Sequence, residues 1–94
     1  MPQLTFTTTP DYIVPAGFAR KSFYVRNNSA AAQIAYLDNT DPGGLTATNC
    51  GYILAAGEWL AFSVLVDGKD IKRPWSCIGS AAGTVIVFKE MAED

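Results

Sequence analysis

Phe18 to Asn27 reads FARKSFYVRN, and this stretch decides the fold class. It is rich in aromatic and β-branched residues, and its character alternates. Phe23 and Val25 point one way, while Arg20, Ser22, Tyr24 and Arg26 point the other. Side chains alternate in this way along a strand, so one face packs and the other meets water. Similar short runs recur outward from it. Gln33 to Asp38 (QIAYLD), Tyr52 to Leu54, Trp59 to Val66, the segment around Trp75 within Ile71 to Ile78, and Thr84 to Lys89 (TVIVFK) all read as strands. Between them lie Pro15-Ala16-Gly17, Asn27-Asn28-Ser29, Asp41-Pro42-Gly43-Gly44, Ala56-Gly57, Asp67-Gly68 and the segment Gly79 to Gly83, all built from turn-forming residues. Asp67-Gly68 suits a tight hairpin. Ala30-Ala31-Ala32 is a helix-friendly patch too short to stand alone. The expectation is an all-β chain, a small antiparallel β-sandwich or barrel of about seven or eight short strands.

At 94 residues the chain has the size of one domain, with residues 11–89 expected to form the sandwich. Leu4 to Thr9 (LTFTTT) is β-prone and reads as an edge strand or an arm within residues 1–10. Glu90 to Asp94 reads as an acidic tail that frays. Tyr12-Ile13-Val14-Pro15-Ala16-Gly17 echoes Tyr52-Ile53-Leu54-Ala55-Ala56-Gly57, each copy preceding a long strand.

Hydrophobic residues make up 49% and charged residues 17%, which fits a folded chain with a weakly charged surface suited to protein contact. The net charge of -2 and the lack of a dense basic cluster argue against nucleic-acid binding. Met1-Pro2-Gln3-Leu4-Thr5 has no secretory character, and the apolar stretch from Ile53 to Val66 is interrupted by Gly57-Glu58, so neither export nor membrane insertion is expected. Cys50 and Cys77 then read as reduced thiols, one in a loop and one packed in a strand.

Chemistry is expected to be absent. With no histidine there is no Ser-His-Asp or Cys-His arrangement, and two cysteines cannot build an ordinary zinc site. The carboxylates fall mostly in turns and at the C-terminus. Asp38-Asn39-Thr40-Asp41 offers oxygens for calcium but not the spacing of a known calcium loop. The glycine-rich stretches lack the lysine or the following helix of a phosphate loop. No catalytic residue, cofactor or metal is assigned.

Contact residues are the remaining candidates. In the strand from Trp59, Leu60, Phe62, Val64 and Val66 form the core face, which leaves Trp59 with Ala61, Ser63 and Leu65 on the other. Tyr24 lies among arginines on a solvated face. Val85 and Val87 alternate with Ile86 and Phe88, so that strand is apolar on both sides, as if a second layer and a neighbouring subunit both cover it. The candidate interface residues are Leu4, Phe6, Tyr24, Arg26, Trp59, Trp75, Ile86 and Phe88.

Three segments carry a resemblance. They are the run Arg20 to Ser29 (RKSFYVRNNS) leading to Ile34-Ala35-Tyr36-Leu37, the run Asn49 to Glu58 (NCGYILAAGE), and the run Trp75 to Val87 (WSCIGSAAGTVIV). In this order they resemble short tailed-bacteriophage virion proteins, most like capsid decoration (cement) proteins, over roughly residues 18–89. The chain departs from that pattern in its longer Asp38 to Asn49 loop and in the bulky Trp59. The resemblance implies a β-sandwich on the virion, at the capsid surface, made in the bacterial host cytoplasm. Its implied partners are the major capsid protein or other virion proteins and copies of itself, a homotrimer being favoured. The alternatives are a tail, head-fibre or head-tail connector component, and a carbohydrate- or receptor-binding module using Trp59, Trp75 and Tyr24.

Overall fold

The computed structural model describes residues 3–17, 20–30, 32–63 and 68–92. Among these residues eight strands form: β1 (Gln3–Phe6), β2 (Asp11–Val14), β3 (Arg20–Asn27), β4 (Ala35–Asp38), β5 (Tyr52–Leu54), β6 (Trp59–Ser63), β7 (Trp75–Gly79) and β8 (Thr84–Ala92). A 3-10 turn, Lys69–Lys72, precedes β7. Sheet A has the order β1-β8-β3-β6 and sheet B the order β2-β7-β4-β5. The pairing is nested and antiparallel: β1 with β8, β2 with β7, β3 with β6, β4 with β5. A four-strand-out, four-strand-back hairpin rolled into two layers has this connectivity, and the β3–β8 and β4–β7 ladders complete each sheet. The chain is therefore an all-β sandwich with jelly-roll topology.

The core lies between the sheets and centres on Trp75. Its ring stacks on Phe23 at 4.9 Å, meets Phe62 at 4.8 Å and meets Tyr52 at 5.8 Å. Phe23 and Phe62 come from sheet A, and Trp75 and Tyr52 from sheet B, so one aromatic cluster ties the layers together. Each such contact adds about 0.5–1.5 kcal/mol beyond area burial. Phe6, Ile13, Val14, Val25, Ala35, Leu37, Leu54, Cys77 and Ile86 fill the space around it.

Three features depart from the sequence expectation. β6 and β7 do not pair as a hairpin, because β6 belongs to sheet A and β7 to sheet B; Asp67 of the expected Asp67-Gly68 turn, with Val64 to Val66, lies outside the described residues. The start of the expected tail is strand, because β8 runs on to Ala92 and Glu90 pairs across to Phe23; Glu93 and Asp94 lie outside the described residues. Arg20 is buried at 3% exposure and does not share the solvated face of Tyr24. The β3–β8 register slips between Arg20 and Ser22, with two steps on β3 matching one on β8. That bulge reverses the phase of alternation and turns Arg20 inward.

The segments echoing one another become the two edge strands of sheet B, β2 and β5. Their side chains do not match. A bulge in β2 buries both Ile13 and Val14 and leaves Tyr12 exposed, whereas in β5 Tyr52 packs against the core and Ile53 is 60% exposed.

Candidate contact surface

The segments that carried the resemblance meet in one hydrogen-bonded knot. Asn27, fully buried, donates from Nδ2 to the carbonyls of Gln33 and Leu54, both at 2.9 Å. Its Oδ1 accepts from the backbone N–H and the hydroxyl of Ser29. The Ser29 hydroxyl accepts from the Val85 amide at 2.9 Å. The Asn27 carbonyl accepts from Gly57 N–H, and Asn27 N–H donates to the Glu58 carbonyl. Gly57 sits at φ 89°, a conformation that favours glycine, and the Glu58 carboxylate closes the turn on Ala55 N–H at 2.7 Å. These residues satisfy buried polar groups where the chain crosses between sheets, so they hold the fold.

Of the eight candidate interface residues, three come together. Tyr24, Arg26 and Trp59 share the outer face of sheet A. Arg26 is directly opposite Trp59 on β6, and Tyr24 is opposite Ala61. The rings of Tyr24 and Trp59 lie 6.0 Å apart at 31°. Trp59 is 60% exposed, Arg26 is exposed and Tyr24 half-buried. The reason is the phase of alternation: with Leu60 and Phe62 packed on the core, Trp59 must face out.

Trp75, Ile86 and Phe6 belong to the interior, at 1%, 0% and 3% exposed, and as contact residues they are corrected. Leu4 and Phe88 are half-buried and pack against the core. β8 is apolar on both faces because Ile86 and Phe88 enter the sandwich while Val85 and Val87, half-buried, line its outer side. β1 pairs with β8 of its own chain, with Leu4 opposite Ile86 and Phe6 opposite Thr84, so its apolar residues close the core.

Two members of the outer face escaped the sequence reading. Lys89 lies opposite Tyr24, and Met91, 52% exposed, lies opposite Ser22. The alternation of Val85 and Val87 carries on to Lys89, and Met91 follows because β8 runs past Lys89 to Ala92. The outer side of sheet A thus carries Trp59, Tyr24, Val85, Val87 and Met91, with Arg26 and Lys89 among them.

Sheet B is dressed differently. The loop between β4 and β5 returns over its outer side, where the Ser76 hydroxyl donates to the Thr40 carbonyl and the Tyr12 hydroxyl to Asp41 Oδ1, both at 2.6 Å. Leu45 within that loop is buried. Asp38 Oδ1 accepts from Asn39 N–H at 2.8 Å. Asp38 and Asp41 are thus engaged in loop structure, and among the described residues no group of three or more acidic, cysteine or histidine side chains gathers to hold a metal. Cys50 and Cys77 are unbridged, the first half-buried in a loop and the second buried in β7.

A cavity of about 240 Å³ lies at the β1–β2 corner, lined by Thr5, Phe6, Thr7, Thr9, Pro10 and Asp11. It is smaller than the common range of about 300–1,000 Å³ for small-molecule sites. No helix is long and apolar enough to cross a membrane among the described residues. No family model, no curated protein and no solved structure matches this chain.

Proposed function

We propose that this chain is a structural protein of a tailed-phage particle that decorates and stabilises the capsid by surface contact, as a homo-oligomer with a trimer favoured, and without catalysis. The observation that carries the reading is the set Trp59, Tyr24 and Arg26 on one solvent-facing sheet surface. These three residue types dominate the energetics of protein interfaces, and a 60% exposed tryptophan on a sheet face is costly to leave in water. The topology agrees, since jelly rolls serve in viral shells as well as lectins, though a fold alone does not assign a function.

The test is the stoichiometry of the chain in a purified particle, joined to binding of the isolated protein to expanded, undecorated heads. Hundreds of copies per particle and micromolar or tighter binding are expected. A dozen or fewer copies would move the protein to a tail, fibre or connector position, and failure to bind such heads would overturn the decoration role.

The exposed rings favour one second reading. Trp59 and Tyr24 are placed to stack on sugar rings, whereas Trp75 is buried and takes no part. A glycan array without signal would remove this alternative.

A further inference from the structure

We infer that the outer face of sheet A docks, head to tail, onto the acidic flank of sheet B on a second copy of this chain. The inference rests on reading the sheet A face as a contact surface, and it names what that surface meets.

The two surfaces are opposite in sign. At the described strand positions of the sheet A face, Arg26 and Lys89 stand beside Trp59 and Tyr24, and no carboxylate accompanies them. Packing this face on itself around a two-fold axis would gather four cations with nothing to neutralise them, which disfavours an isologous pair. The flank of sheet B supplies the missing charge. Tyr12 is 43% exposed, its hydroxyl donates to Asp41 Oδ1 at 2.6 Å, and its backbone N–H donates to Asp11 Oδ1 at 2.8 Å. One carboxylate, Asp41, is therefore held at the tip of an exposed aromatic ring, and a second, Asp11, is held exposed on the backbone of the same edge strand. The hydrogen bond to Asp41 comes first among the influences raising the Tyr12 phenol above its usual value, and the negative charges of Asp41 and Asp11 add to it.

An aromatic and cationic face meeting an aromatic and anionic flank is complementary in both respects. Because the two surfaces differ, the contact is heterologous, and it builds a ring if the rotation closes or a filament if it does not.

The experiment is sedimentation of the purified chain over a range of micromolar concentrations at low salt. Wild type is expected to self-associate, and to do so less as salt is added. The pair Arg26→Glu with Lys89→Glu should weaken association by roughly tenfold or more, and so should Asp11→Lys with Asp41→Lys. The milder pair Asp11→Asn with Asp41→Asn should weaken it in the same direction while keeping a polar partner for Tyr12. A chain carrying both charge reversals should regain association, because the complementarity is restored with the signs exchanged. A monomeric wild type, or association that survives both acidic-flank pairs, overturns the proposal. A chain that is monomeric in solution yet abundant on the particle sinks this inference and leaves the proposed function standing.

Discussion

The Arg20 guanidinium donates to Glu90 at 2.7 Å across a sequence separation of 70 residues, and it joins four parts of the chain at once. Its other nitrogens donate to the carbonyls of Ile71 and Arg73 at 2.8 Å and of Pro15 at 2.6 Å. The side chain is buried, while that of Glu90 is 44% exposed. One cation thus ties β3, the end of β8, the segment leading into β7 and the turn after β2, and it lies 5.8 Å from the Phe23 ring.

Removing that cation takes a donor from three carbonyls, of which Ile71 O keeps the Trp75 indole N–H at 3.3 Å. Arg20→Ala is expected to destabilise the fold by about 3–5 kcal/mol, the range seen when one member of a buried charged network is lost. Glu90→Gln should cost clearly less, because Arg20 keeps its carbonyl partners and Glu90 is partly solvated. Urea midpoints at unchanged m-value check the order. Equal losses for the two variants would contradict the picture of Arg20 as a backbone staple.

The two tryptophans should behave in opposite ways. Trp75→Ala empties the aromatic centre and is expected to cost about 3–5 kcal/mol. Trp59→Ala removes a ring that is 60% exposed, so β-rich circular dichroism and thermal midpoint should change little while oligomer formation or head binding falls. A Trp59 variant that unfolds would place that ring in the core after all.

Cys77 gives a pH dependence with a defined sign. Burial pushes its thiol up from 9.0 to about 12. The unfolded chain therefore ionises first, so stability is intact below pH 9 and falls as pH rises through the window from 9 to about 12, by at most about 1.4 kcal/mol per unit. Comparing wild type with Cys77→Ala across that window isolates the contribution, and the variant should show the shallower decline. In native protein at pH 8, a thiol reagent should label half-buried Cys50 ahead of Cys77.

Gly79 allows the close crossing from β7 toward β8. A Cβ there would stand 2.5 Å from Thr84 Oγ1 and 3.0 Å from the Ala81 carbonyl oxygen. Thr84 is itself buried and donates to Ala81 O at 2.8 Å, so it has little room to yield. Gly79→Ala is expected to destabilise by about 1–3 kcal/mol, as overpacking does. A thermal midpoint equal to wild type would show that the loop gives way freely.

Much of the strand content was legible because alternation is local. FARKSFYVRN, QIAYLD and TVIVFK each announce a strand within their own length, and glycine, asparagine and proline mark the breaks. Trp59 was placed outside the core by the same rule, once Leu60 and Phe62 were assigned inside. The rule failed where a bulge shifts its phase, at Arg20. It was also silent about which ring of several would be central. Alternation turned Trp59 outward, but only the packing of Phe23, Phe62 and Tyr52 around Trp75 makes that ring the centre of the core.

By itself, then, the order of residues determined an all-β chain of short strands, with punctuation where the strands break and with Trp59 turned away from the core. The tertiary structure decided the rest: the nested pairing into a jelly roll, the inward turn of Arg20, the burial of Trp75, Ile86 and Phe6, and the assembly of Tyr24, Arg26 and Trp59 with Lys89 and Met91 into one surface. The physical reason is range. Side-chain alternation is set by the backbone of a few neighbouring residues, whereas register, bulges and the choice of core ring depend on partners far along the chain, as Gln3 and Val87 are.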